Sequence, residues 1–219
     1  MNENNHDSPK VQPGRSAWGR FWSRLVAEPE PTVAHRLYEL LVRQARLPIY
    51  YQKLNVPDTP EGRFEILALH VGLTVRRLFS LGPSSQQTGQ ALFDLMVADL
   101  DVNLRELGVG DLSVGKQVKR LAGQFYARLA ALNEAFDEGR LETLAPALAT
   151  NVYGAAPSSP SQVASLVDIL VAVKDALDDQ SSGDLMEGRI ELPDEQSLLA
   201  LVDKRLDGDI GSHDRSAAN

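Results

Sequence analysis

The sequence predicts an all-α protein: a single helical domain of about five to six helices, with a disordered N-terminus and an acidic, helical or flexible C-terminal extension. Three observations carry this. Apolar residues recur at three- and four-residue spacing over windows of several turns. Those windows are bounded by helix start and stop signals. No strand alternation of useful length appears, Arg189-Ile-Glu-Leu192 being too short to build on. The division that follows is residues 1–31, 32–154 and 155–219.

Residues 1–13 are polar, asparagine-rich and unpatterned, the composition of a segment that buries too little apolar surface to fold. Next, Trp18, Phe21, Trp22 and Leu25 recur at helical spacing, and Arg15, Arg20 and Arg24 have no acidic neighbour until Glu28. One reading is a membrane-contact helix, its tryptophans and Phe21 at the headgroup level and its arginines facing anionic lipid. The other is a helix that packs on the domain or leads into it. Gly19 weakens either one by about 1 kcal/mol. Pro29 and Pro31 end the segment.

Thr32 then opens a helix with Val33, Leu37, Leu40 and Leu41 on one face, stopped before Pro48. After a tyrosine-rich connector over residues 49–56, Asp58-Thr59-Pro60-Glu61 combines a cap, a proline for the first turn and an acid for the helix dipole. The helix it starts, from Pro60 to about Leu81, places Phe64, Leu67, Ala68, Val71, Val75, Leu78 and Phe79 on one stripe. Ile66 and Leu73 lie on another side, so this helix should be central. A third runs from about Gln86 to Leu107 and ends at Gly108, well placed as a left-handed cap. A fourth, from about Val114 to Glu138, carries Val118, Leu121, Phe125, Leu129, Leu132 and Phe136. A short helix near residues 141–148 closes the domain. Residues 155–160 read as a linker, and two further helical stretches follow around Leu166 and Leu201.

The charge is uneven. Residues 1–154 carry 17 basic and 17 acidic side chains, and residues 155–219 carry 5 and 13, so the net −8 resides in the last third. That balance gives no general affinity for nucleic acid. The longest apolar run, residues 166–173, is broken by Asp168, so a membrane span is not expected. Without an apolar leader the chain is expected on the cytosolic side of any membrane. No cysteine is present, which removes disulfides and thiolate chemistry.

Several catalytic motifs fail on inspection. Gly110-Asp-Leu-Ser-Val-Gly115-Lys116-Gln117 approaches a phosphate loop, but Gln117 stands where a hydroxyl must meet magnesium, and the run follows a helix. Asp99 and Asp101 diverge by about 200° on a helix and cannot share one ion. His6, His35, His70 and His213 have no ligand-like spacing, so no metal and no cofactor are expected. The expectation is therefore no enzyme. His70, inside the central helix, reads either as a satisfied core histidine or as a partner contact. Asp101, Arg105 and Glu106, and the ridge of Lys116, Lys119 and Arg120, are helix-surface charges beside a glycine-rich link.

Two blocks resemble a known family. One is Val56-Pro-Asp58-Thr59-Pro-Glu-Gly62-Arg63-Phe64-Glu-Ile-Leu67-Ala-Leu69-His70 with Arg76-Arg77-Leu78; the other is Asp99-Leu-Asp101-Val-Asn-Leu104-Arg105-Glu106-Leu107-Gly108-Val109-Gly110-Asp111-Leu112-Ser-Val114-Gly115-Lys116 with Phe125-Tyr126-Ala-Arg128-Leu129. Both are similar to the ubiquinol–cytochrome c chaperone family over roughly residues 32–154, although family members often carry Gly where this chain has Ala127. The resemblance implies an assembly chaperone that binds nascent cytochrome b or another respiratory subunit, in mitochondrial relatives with a small helper protein. Asp58, Thr59, Arg63, His70, Asp101, Arg105, Glu106, Gly108, Gly110, Asp111 and Lys116 are the partner-binding candidates, bordering one surface. The competing class is a peripheral lipid- or quinone-binding helical protein.

Overall fold

The computed structural model describes residues 32–216, and among them only helices, turns and connectors occur. The helices are α1 (Val33–Ala45), α2 (Pro48–Gln52), α3 (Pro60–Ser80), α4 (Pro83–Glu106), α5 (Asp111–Asp137), α6 (Leu144–Leu148), α7 (Pro160–Asp179), α8 (Ser182–Met186) and α9 (Glu195–Ser216). A 3₁₀ turn at Leu141–Thr143 precedes α6, and a π-helical turn at Ala149–Tyr153 follows it. The six helices longer than one or two turns match the five to six expected.

The central position of α3 follows from its composition. Ile66, Leu69, Val71, Leu73, Val75 and Leu78 are buried on more than one face, and α1, α4, α5 and α7 all pack against it. Thr59 accepts from the amide of Gly62 at 3.1 Å to cap its start. Phe79, expected on the core stripe, is instead 42 % exposed. Its ring lies over Gly89, where a Cβ would come within 2.7 Å of it, so a glycine lets α4 approach closely at the cost of leaving the ring half in solvent. Helix α4 starts three residues earlier than expected because Gly82 (φ +114) turns the chain and Pro83 supplies a first-turn residue that needs no donor.

Gly108 is the left-handed cap expected of it, with φ +80. Its amide donates to Arg105 O and that of Val109 to Leu104 O, at 3.0 and 3.1 Å, the two bonds of a Schellman end.

The helices that follow residues 155–160 contribute side chains to the core. Ser159 and Gln162 close a reciprocal capping box on α7. Leu166, Ile169, Leu170 and Val173 of α7 are fully buried, and α9 covers α7 with Leu198 and Val202. Asp168, which broke the apolar run in the sequence, is held at the surface of α7 by Arg205 of α9, one bond measuring 2.6 Å. Two adjacent arginines of α3 tie helix ends together. Arg76 bonds Asp137 at 2.5 Å, at the last residue of α5. Arg77 donates to the carbonyls of Leu177, Asp178 and Gln180 at 3.1–3.3 Å, satisfying the end of α7 and placing a cation at its negative pole.

Candidate functional site

Because α3 and α4 form a hairpin across Gly82, the start of α3 and the end of α4 lie at the same end of the domain, where α5 also begins. Five of the partner-binding candidates form two ion-paired clusters, one at the start of α3 and one where α4 ends and α5 begins. In the first, Arg63 Nε bonds Asp58 at 2.6 Å and its guanidinium sits 5.6 Å from the ring centre of Tyr51. That hydrogen bond holds the Asp58 carboxyl below its ordinary range.

In the second, Arg105 bridges Asp101, one turn back at 2.7 Å, to Asp111 in the first turn of α5, at 2.5 Å. It thereby spans the link of Gly108 and Gly110. Glu106 and Lys116 are exposed beside it. Each cluster closes its ion pairs within itself. Two apolar residues stand in the open next to the second cluster, Leu107 at 58 % and Val102 at 37 % exposure.

His70 does not belong to this surface. It is buried, and Ile66 O, which can only accept, takes a bond from Nδ1 at 2.8 Å. Nε2 therefore accepts from the Tyr50 hydroxyl at 3.0 Å. Burial lowers its pKa to about 4, so the ring is a neutral core histidine, and its partner-contact reading is corrected. The membrane-contact candidates Arg15, Trp18, Arg20, Phe21, Trp22 and Arg24 lie outside the described residues.

A second site was not anticipated. Glu65 of α3 and Arg128 of α5 form an ion pair at 2.5 Å, each side chain only 10 % exposed. They stand at one wall of an open groove of about 260 Å³ between α3, α5, α6 and the π-helical turn, with exposed Gln124, Ala127 and Asn151 at its rim. Glu65 Oε2 and Arg128 Nε and Nη1 are buried without a hydrogen-bond partner. Burial raises the Glu65 pKa to about 7 despite the opposing pull of Arg128 and Arg120. The same desolvation lowers that of Arg128. The signal was in the sequence. Glu65, Leu69 and Gly72 share a face of α3, so a lone acid occupies an otherwise apolar stripe.

The model for the ubiquinol–cytochrome c chaperone family matches residues 52–192, well over half of the chain. The chain belongs to that family. The matched stretch holds both exposed clusters, the pair of Glu65 and Arg128, and the whole of α7, so the family domain runs past the 32–154 of the sequence resemblance. The chain is similar to ubiquinol–cytochrome c reductase complex assembly factor 1 of Mus musculus, 25 % identical over 156 residues covering 70 % of this chain and 52 % of that protein. With the Homo sapiens protein of the same name it shares 26 % over 174 residues, covering 78 % and 55 %. It thus spans about half the length of these curated relatives. The crystal structure of the Cbp3 homolog from Brucella abortus superposes with a TM-score of 0.67 at 33 % identity, covering 81 % of this chain and 94 % of that one. Among the described residues no helix is long and apolar enough to cross a membrane.

Proposed function

We propose that the chain promotes assembly of ubiquinol–cytochrome c reductase, without catalysis, by holding newly made cytochrome b at the end of the domain where α3 starts and α4 ends. The observation that carries this reading is the exposure of Leu107 and Val102 beside Asp101, Arg105 and Asp111. A holder of apolar transmembrane segments needs accessible apolar contacts within a polar border that keeps the empty chaperone soluble. Membership of the chaperone family supports it. The arginine bridge between α4 and α5 fixes the proposed border across the glycine link, and Asp58, Thr59 and Arg63 are proposed as its extension at the start of α3.

The test is complementation of a deletion strain, read by reductase activity and by crosslinking of the chain to radiolabelled cytochrome b. Leu107→Ser, Arg105→Ala and Asp111→Ala should each lower capture and activity while circular dichroism stays that of the wild type. Wild-type capture by all three removes this surface from the proposal. The segment with Trp18, Phe21 and Trp22 is proposed as the membrane contact. Deleting residues 14–27 should then abolish flotation with anionic liposomes, and undiminished flotation rejects that role.

A further inference from the structure

Helix α5 packs on α3 and α4 with one side and leaves the other to solvent. Along that outer side Arg120, Gly123, Ala127, Ala130 and Glu134 are all exposed and recur at alternating three- and four-residue spacing. This is the repeat of a helix that meets another along its length, with the smallest side chains at the middle of the seam. The charges sort to its two ends. Lys116, Lys119 and Arg120 stand before the small residues, and no acid occurs between Asp111 and Glu134. Glu134, Asp137 and Glu138 stand after them.

Two features of this face work against the isolated chain. Gly123 lies inside a helix, where glycine is less favourable than alanine, yet a Cβ there would meet nothing within 4 Å. Gly72 and Gly89, by contrast, face Leu132 and Phe79. The three acids lie at the negative pole of α5, where cations are favoured. Arg140 answers Glu134 and Glu138, and Arg76 answers Asp137, but each acid stays more than half exposed. At the other end Lys116, Lys119 and Arg120 form no salt bridge among the described residues, and Arg120 reaches the Gln124 side chain at 3.2 Å instead.

We infer that α5 is the seam of a two-fold symmetric dimer, pairing antiparallel with α5 of a second copy about an axis at Ala127. A two-fold axis demands a surface complementary to itself, and this face meets that demand. With Ala127 on the axis, Lys116 faces Glu138 of the partner subunit and Arg120 faces Glu134 of the partner subunit. Symmetry repeats both pairs at the far end. The small residues between them let the two backbones approach, which accounts for Gly123. Tyr126, 51 % exposed next to Ala127, is covered by the same contact. A parallel pairing would set like charge against like charge at both ends. An unrelated acidic or basic partner would match one half of the face, whereas a second copy matches both.

Sedimentation equilibrium of the full chain should show a monomer–dimer equilibrium with a dissociation constant below about 100 µM. Lys116→Glu with Arg120→Glu makes the face acidic at both ends, and Glu134→Lys with Glu138→Lys makes it basic at both. Both reversals suit the helix dipole, so each variant should fold. Each alone should self-associate at least about tenfold more weakly, and an equimolar mixture should form a heterodimer tighter than the wild-type pair. Gly123→Gln should weaken the dimer by a similar factor while raising the thermal midpoint of the dilute monomer. Because the chain has no cysteine, Ala127→Cys should give a disulfide-linked dimer on mild oxidation. Lys116→Cys should not, since the antiparallel seam holds its two copies about 33 Å apart. A wild-type chain still monomeric at about 1 mM assigns the face to another occupant and overturns the inference. A mixture no tighter than either variant alone, an undiminished dimer of Gly123→Gln, or equal crosslinking of the two cysteine variants overturns it as well. None of these readouts involves cytochrome b, so their failure leaves the client-holding surface untouched.

Discussion

Two arginine–carboxylate pairs of this chain share a length of 2.5 Å and differ in everything that follows from it. Arg105 and Asp111 meet in the open, 48 % and 87 % exposed, while Glu65 and Arg128 meet at 10 % each. Water solvates the first pair whether or not it forms, so the contact sets geometry and adds little stability. In the interior, removal from water outweighs mutual attraction, and both groups are pushed toward their neutral forms. Distance alone therefore says nothing about what an ion pair does. Exposure leaves the outer pair free to exchange its contacts with water. Burial makes the inner pair a cost that the surrounding packing must carry.

Removing one partner of the inner pair should have the largest effect. Arg128→Met strands Glu65 and should lower stability by about 3–5 kcal/mol at pH 8. The loss should shrink by pH 5, where Glu65 takes up a proton, and urea unfolding at the two pH values measures it. An equal loss at both would break the contrast drawn above.

Acid titration sharpens it next. Folded Glu65 holds its proton to about pH 7, against 4.5 ordinarily. The folded chain binds more protons in that window, so this group's contribution is greatest below pH 4.5 and declines as pH rises to 7. His70 has the opposite sign. Its folded pKa of about 4, against 6.5, gives a contribution complete above pH 6.5 and lost as pH falls toward 4. Between pH 4.5 and 6.5 the two slopes, each at most about 1.4 kcal/mol per pH unit, should nearly cancel in the wild type. Glu65→Gln should expose the acid loss due to His70, and His70→Gln the acid gain due to Glu65. Parallel stability curves for the two variants would refute the assignment.

Thr59→Ala, removing the cap of α3, should cost about 1 kcal/mol in urea unfolding. Smallest of all, Arg105→Ala should leave the urea midpoint unmoved at any salt concentration. A measurable loss there would show the outer pair to be structural after all.

The helices were legible because their signals are local. The stripe of α5, the glycine after α4 and the proline that opens α3 each act within a few residues. Boundaries slipped where a neighbour intervened. Phe79 left the core because Gly89, ten residues on, admits a close helix crossing. The exposed clusters were legible too, since Asp101 and Arg105 pair along one helix and Asp58 and Arg63 lie five apart. Glu65 and Arg128 were not, because 63 residues separate them and only the packing of α3 on α5 brings them together. For the same reason α7 read as part of an extension. Its apolar face is plain in the sequence, but its seat on α3 is not.

The reach of Arg77 across about a hundred residues has a consequence for synthesis on the ribosome. The acceptors of its guanidinium do not exist until residues 177–180 have been translated and α7 has formed. Until then the middle helix of the domain shows the emerging chain an apolar flank with nothing to cover it. A protein proposed to shelter another's unfinished helices must itself stay unfinished until residues 177–180 have been read.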